Sequence, residues 1–311
     1  MTHIGRKRTI GIALESVAGV AETPTMYIPF LDLTLQERHT PIADISAKGV
    51  RDLEGGASVE GKKWSEGAVE VVLDPKTAPY WLAMALGSIE SEASGSNYKH
   101  TITRATNSPV TATILKDSVV DKLNFTNLMA NQLELSFADD VVRLRADLFG
   151  KYPEAETGVA TVEKELTLYT FGNATVNVGS SEDVKIRDLT LTIENNAELL
   201  YAPNDVDVES IVAKGFRVSG SFTLKFESEA QKEAFRDLDK QAMVISFSNG
   251  VNDKVELTIP SFRVDSWQET GSNDDIMHEE INFIAEYDSA TSKTISAEVI
   301  NQTEEYLTIE S

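Results

Sequence analysis

Gln132-Leu133-Glu134-Leu135-Ser136-Phe137 alternates apolar and polar residues, and Val142-Arg143-Leu144-Arg145-Ala146-Asp147-Leu148 does the same a few residues later. A strand turns successive side chains to opposite faces, so this period of two predicts two strands, each with one buried face. Asp139-Asp140 between them predicts a hairpin turn. Working outward, Thr9-Ile10-Gly11-Ile12-Ala13-Leu14-Glu15 has the same period, and so do Asp188-Leu189-Thr190-Leu191-Thr192-Ile193, Phe222-Thr223-Leu224-Lys225-Phe226 and Lys254-Val255-Glu256-Leu257-Thr258-Ile259. The chain reads as mainly β.

Two helices interrupt the strands. One begins near Asp74-Pro75, a capping residue followed by proline, runs through Ala78-Pro79-Tyr80-Trp81-Leu82-Ala83-Met84-Ala85-Leu86 and stops at Gly87. The other runs from a Ser228 cap to Leu238, with Ala234, Phe235 and Leu238 as its apolar stripe. Asn273-Asp274-Asp275-Ile276 suggests a short third helix. Residues 36–63 and 195–214 read as long loops, which in compact domains are usually functional.

The two halves echo each other. Asp32-Leu33-Thr34-Leu35 recurs 156 positions later as Asp188-Leu189-Thr190-Leu191. At that offset Ile10 and Ile12 fall on Leu166 and Leu168, and Ile28 and Phe30 on Val184 and Ile186, without a gap. Gly67-Ala68-Val69-Glu70-Val71-Val72-Leu73, leading into a helix, echoes Gly220-Ser221-Phe222-Thr223-Leu224-Lys225-Phe226, also leading into a helix. A fixed period marks repeated units. The expected division is therefore 1–155 and 156–311, joined through the polar Lys151-Tyr152-Pro153-Glu154-Ala155-Glu156-Thr157-Gly158.

Composition narrows function. The 311 residues include no cysteine, so thiol nucleophiles, thiolate metal sites and disulfides are excluded. The most apolar window, Tyr80–Leu86, is far short of a membrane span. The net charge of −22 opposes binding to nucleic acid. Residues 1–155 carry 20 acids and 16 bases, whereas residues 156–311 carry 30 and 12, so the acidity is concentrated in the second half. His3, His39, His100 and His278 lack metal-ligand spacing, and no nucleophile elbow or phosphate-binding loop is present. Asp205-Val206-Asp207-Val208-Glu209 and the acids around Asn273–Glu280 match no calcium loop. Carboxylate pairs for glycoside hydrolysis are inevitable in so acidic a chain and select nothing. No catalytic residue, cofactor site or metal site is assigned.

Gly11-Ile12-Ala13-Leu14-Glu15 through Pro24, Ser46–Asp52, and Gly67–Pro75 running into an apolar helix resemble in order and style the major tail tube proteins of long-tailed bacteriophages, as do Leu189–Asn196 and Val218–Leu224. That resemblance implies tube modules, each a β-sandwich or partly closed barrel with one flanking helix, assembled into stacked rings. Two modules per chain imply a trimeric ring with pseudo-sixfold symmetry. It also implies a virion protein made in the host cytoplasm, with itself, the tape measure protein and the tail tip and terminator proteins as partners, and with DNA passing a negatively charged lumen unbound. The candidate contacts between subunits or rings are Thr40, Pro41, Gly49, Arg51, Gly55, Gly56, Asn196, Pro203, Asp205 and Asp207. The competing readings are a tube ring of a contractile injection system, a surface β-sandwich lectin or adhesin, and a β-rich glycosidase or lyase.

Overall fold

The computed structural model describes residues 4–24, 26–42, 59–105, 110–138, 140–156, 166–179, 184–250 and 252–307. In the first half the strands are β1 (Thr9–Leu14), β2 (Met26–Ile28), β3 (Asp32–Leu33), β4 (Gln36–Ile42), β5 (Val59–Val72), β6 (Gly87–Ser94), β7 (Asn97–Arg104), β8 (Ala112–Asp117), β9 (Lys122–Phe137), β10 (Arg143–Gly150) and β11 (Glu154–Ala155). Helix α1 (Ala78–Leu86) lies between β5 and β6. The second half holds β12 (Ala174–Val178), β13 (Ile186–Glu194), β14 (Ala197–Tyr201), β15 (Val208–Ala213), β16 (Arg217–Lys225), helix α2 (Ala230–Asp237), β17 (Lys240–Ser248), β18 (Lys254–Thr270), β19 (His278–Ala285) and β20 (Ser296–Asn301).

The hairpin read from Gln132–Leu148 is present: β9 and β10 pair antiparallel, with Arg143 opposite Ser136. Their apolar positions Leu133, Leu135, Phe137, Leu144, Ala146 and Leu148 are all buried, as the alternation requires. Around them runs one antiparallel series, β5–β10–β9–β13–β16–β19–β18, with β3 and β4 on the outer side of β5. β9 and β18 are long enough to join a second layer. The start of β9 pairs with β8, which pairs with β1 and then β2. The start of β18 lies between β17 and β20, and β20 continues to β7 and β6. The layers enclose one contiguous core and do not close into a barrel, giving a β-sandwich-like fold.

Helix α1 ends at the expected Gly87 but begins at Ala78, with Thr77 and not Asp74 at its cap position and Pro75 in the turn before it. The Asp74 carboxylate accepts from the Lys76 and Thr77 N–H groups at 2.8 and 3.3 Å, and Gly87 ends the helix with φ 103°. All nine helix residues are buried, because α1 packs on β9, β7, β6, β20 and β1. In α2 the cap position is Glu229 rather than Ser228, and no side chain caps it. Leu238 is 60% exposed at φ 58°, so it closes the helix instead of packing beneath it. Asn273–Ile276 forms turns rather than a third helix; the run is short, and nothing packs it into a helical turn.

The halves correspond in their pairing. Leu33 faces Val69 and Asp32 faces Glu70, just as Leu189 faces Phe222 and Asp188 faces Thr223. A Cβ on Gly67 would stand 2.4 Å from the Thr34 carbonyl oxygen, and one on Gly220 would stand 2.4 Å from that of Thr190. Each glycine is thus required by the close approach of the same neighbouring strand. β9 bulges at Asn131, opposite the Asp147–Leu148 step, and β18 bulges at Asp265, opposite the Asn282–Phe283 step. The gapless alignment fails at the beginning: Leu168 is exposed and lies outside any strand, and the counterpart of β1 is β12. Val184 N–H donates to the Val176 carbonyl, as Ile28 pairs with Ile10. The first half has a longer excursion between the two strands. Buried Glu15 pins that excursion, accepting from Gly19 N at 2.7 Å, Thr111 Oγ1 at 2.6 Å, Thr113 Oγ1 at 2.9 Å and Asn127 N at 2.7 Å.

Candidate assembly surfaces

The described ends of the first expected loop pair as strands, and the second expected loop is largely a β-hairpin. β4 pairs with the first part of β5, and β14 pairs with β15. All seven residues of β4 are exposed, so no alternation betrays it as a strand. Thr40 and Pro41 lie on this arm. Gly49, Arg51, Gly55 and Gly56 belong to the stretch outside the described residues. Asn196, at φ 46°, starts the second hairpin, and Pro203, Asp205 and Asp207 fall in its turn, where Asp205 Oδ1 accepts from Asp207 N at 3.0 Å.

The two hairpins touch. Lys63 N–H donates to the Val206 carbonyl at 2.8 Å, and the Lys62 ammonium sits 4.4 Å from the centre of the Tyr201 ring. The hydrogen bond from Lys63 to Glu60 raises the Lys63 pKa, and burial raises that of Tyr201. The second hairpin thereby lies against strands of the first half: β15 contacts β5, β10 and β9.

The long sheet ends in two margins. At one end β18 pairs with β17 only as far as Arg263, and beyond that point its outer edge meets no strand among the described residues. At the other end the outer edge of β3 and β4 meets no strand among the described residues either. There the Leu33 carbonyl accepts from Arg8 Nη1 at 3.4 Å and the Leu35 carbonyl from Lys116 Nζ at 2.7 Å. Side chains, not a strand, occupy that edge. Sequence patterning missed both margins, because a period of two reports which face is buried and says nothing about which edge is paired.

The face of the sheet turned away from the core is polar. Arg38 lies 3.0 Å from Glu66, Arg143 lies 3.3 Å from Glu70 and 3.2 Å from Asp140, and Arg145 lies 3.4 Å from Asp147. The face therefore carries paired charges, not a run of bare acids. A cleft of about 460 Å³ beside it brings Glu194, Arg217 and Gln132 together without a nucleophile–base pair. Among the described residues no three His, Asp or Glu side chains could share a metal ion. His100 is buried, its ring nitrogens 2.8 Å from Ser91 Oγ and 3.1 Å from Asn301 Oδ1, and burial lowers its pKa. Burial raises the pKa of Glu279, to which Trp267 Nε1 donates at 2.7 Å.

The family model for phage tail tube proteins matches residues 5–285. The chain belongs to that family. No curated protein matches it. A tail tube protein is a structural component of the virion tail, which turns attention from the cleft to the sheet margins and hairpins. Among the described residues of this tail tube chain, no helix is long and apolar enough to cross a membrane.

Proposed function

We propose that this tail tube protein closes with copies of itself into rings that stack into a hollow tube, and that phage DNA passes through the tube into the host. One observation carries the reading: a continuous sheet of seven long strands whose margin at each end meets no strand among the described residues. Open edges invite pairing with another chain, and a closed ring removes them. Each chain contributes two tube modules, 1–155 and 156–311, so three chains give six modules and a pseudo-sixfold ring. The corresponding pairings, glycines and bulges of the two halves support this count.

The polar face of the sheet lines the lumen in this reading. Its arginines are held by carboxylates, which leaves them poorly disposed to grip phosphates. The hairpin arms, with Thr40 and Pro41 on one and Asn196, Pro203, Asp205 and Asp207 on the other, bridge rings or subunits. So does the stretch holding Gly49, Arg51, Gly55 and Gly56. The role is non-enzymatic, and the tape measure, tail tip and terminator proteins are the expected partners. Electron microscopy of the concentrated protein should show rings or hollow tubes, and native mass spectrometry of isolated rings should give three chains. Six chains per ring would reject the trimer. A protein that stays monomeric under all assembly conditions would reject the tube.

A further inference from the structure

Besides the β20–β7 pairing in the second layer, the halves meet at one seam within the long sheet: β13 of the second half pairs with the end of β9 of the first, from Leu189 opposite Phe137 to Glu194 opposite Gln132. The repeat maps both strands onto the free margins. Residues 33–38 correspond to 189–194, because Gln36 faces Glu66 as Thr192 faces Ser219. Residues 266–270 correspond to 132–136, because both strands run out from the equivalent bulge, with Trp267 facing Ile281 as Leu133 faces Ala146.

Resting on the ring reading, we infer that the internal seam is the template for the contact between chains: the β18 margin of one copy pairs antiparallel with residues 33–38 of the next. The register sets Thr270 opposite Thr34 of the neighbouring copy, Glu269 opposite its Leu35, Gln268 opposite its Gln36, Trp267 opposite its Glu37 and Ser266 opposite its Arg38. The β18 backbone then replaces the Arg8 and Lys116 side chains on the Leu33 and Leu35 carbonyls.

The two seams differ chemically. Inside the chain the core face is apolar, with Leu133, Leu135 and Phe137 against Leu189, Leu191 and Ile193. Phe247 closes that seam against Phe137, with ring centres 5.6 Å apart. Between chains the same places hold Trp267, Glu269 and Gly271, and the Lys116 ammonium already lies beside Leu35 on the carbonyl of that residue. The released Lys116 ammonium therefore meets Glu269 of the adjoining copy. Glu269 stands directly across from buried Glu279 on its own sheet, so a cation there also relieves a carboxylate pair. The permanent junction is greasy, while the junction that must form from soluble subunits is charge-complementary.

Directly opposed residues of antiparallel strands lie about 4.5–5.5 Å apart, within disulfide reach. The chain has no cysteine, so introduced thiols are the only ones. In assembled tubes, oxidising a Q36C/Q268C chain should link neighbours and end at a closed covalent trimer. R38C/S266C, the next pair on the same face, should do the same. Either single variant, and Q36C/E269C with its thiols on opposite faces, should stay unlinked. Should neither same-face pair link in tubes that form normally, or should Q36C/E269C link instead, the register is wrong while the tube reading stands. A wild-type chain that forms no tube overturns both.

Discussion

Replacing Asn195 by alanine should loosen the junction between the halves without touching any outer surface. Asn195 is 5% exposed, and its Nδ2 donates to the Ala85 carbonyl at 2.9 Å and the Ala130 carbonyl at 2.8 Å. The first acceptor lies in the last turn of α1, where carbonyls lack helical partners. The second adjoins the β9 bulge, where the sheet ladder is interrupted. Alanine leaves both carbonyls buried and unmet. At roughly 1–2 kcal/mol for each, the loss is about 2–4 kcal/mol. For a chain of 311 residues the unfolding entropy is about 0.65 kcal/mol/K, so Tm falls by about 3–6 °C. Differential scanning calorimetry of unassembled N195A protein measures this, and N195D, a carboxylate facing two carbonyls, should fall at least as far. If N195D melts within about 1 °C of wild type, the side chain is not what joins α1, β9 and β13, and the reasoning is refuted.

Gly220→Ala should cost about 1–3 kcal/mol, because its methyl would press on the Thr190 carbonyl; a urea midpoint equal to wild type would contradict the close approach. Acidification from neutral pH should weaken the fold through His100. Burial sets its pKa below the ordinary 6.5, so the unfolded chain takes up the proton first and stability falls as pH drops below about 6.5. In H100Q the slope of stability against pH should flatten in that window, and an unchanged slope would clear His100 of the effect. Glu269→Lys should raise the concentration needed for assembly by about tenfold, equivalent to about 1.4 kcal/mol, and Lys116→Glu in the same chain should restore it. Turbidity or light scattering reads both, and failure of the double variant to recover would separate Lys116 from Glu269.

Legibility in the sequence followed burial. Strands with one wet face, such as Leu189-Thr190-Leu191-Thr192-Ile193, announce themselves by alternation, and α1 announces itself by Asp74 and Gly87. The β4 arm, wet on both faces, gives no such signal and reads as loop. Leu166 and Leu168 match Ile10 and Ile12 by type, yet the equivalent strand lies further along, because apolar type does not fix where a chain turns back. The candidate contact residues at Thr40, Pro41 and Asn196 were reached through loop length. The margins beside Leu33 and Trp267 carried no signal of their own.

By itself the sequence determined the mainly β class, the positions of both helices, the repeated Asp-Leu-Thr-Leu and Gly-led strands, and the absence of thiol chemistry. These are local matters, set by side-chain period, capping and composition within a few residues. Only the tertiary structure decided that β13 pairs with β9, that β20 pairs with β7, and that, among the described residues, 33–38 and 264–270 are left at the ends of the sheet. Backbone hydrogen bonds between strands are indifferent to side-chain identity, so which edges meet depends on how the whole chain buries its apolar faces.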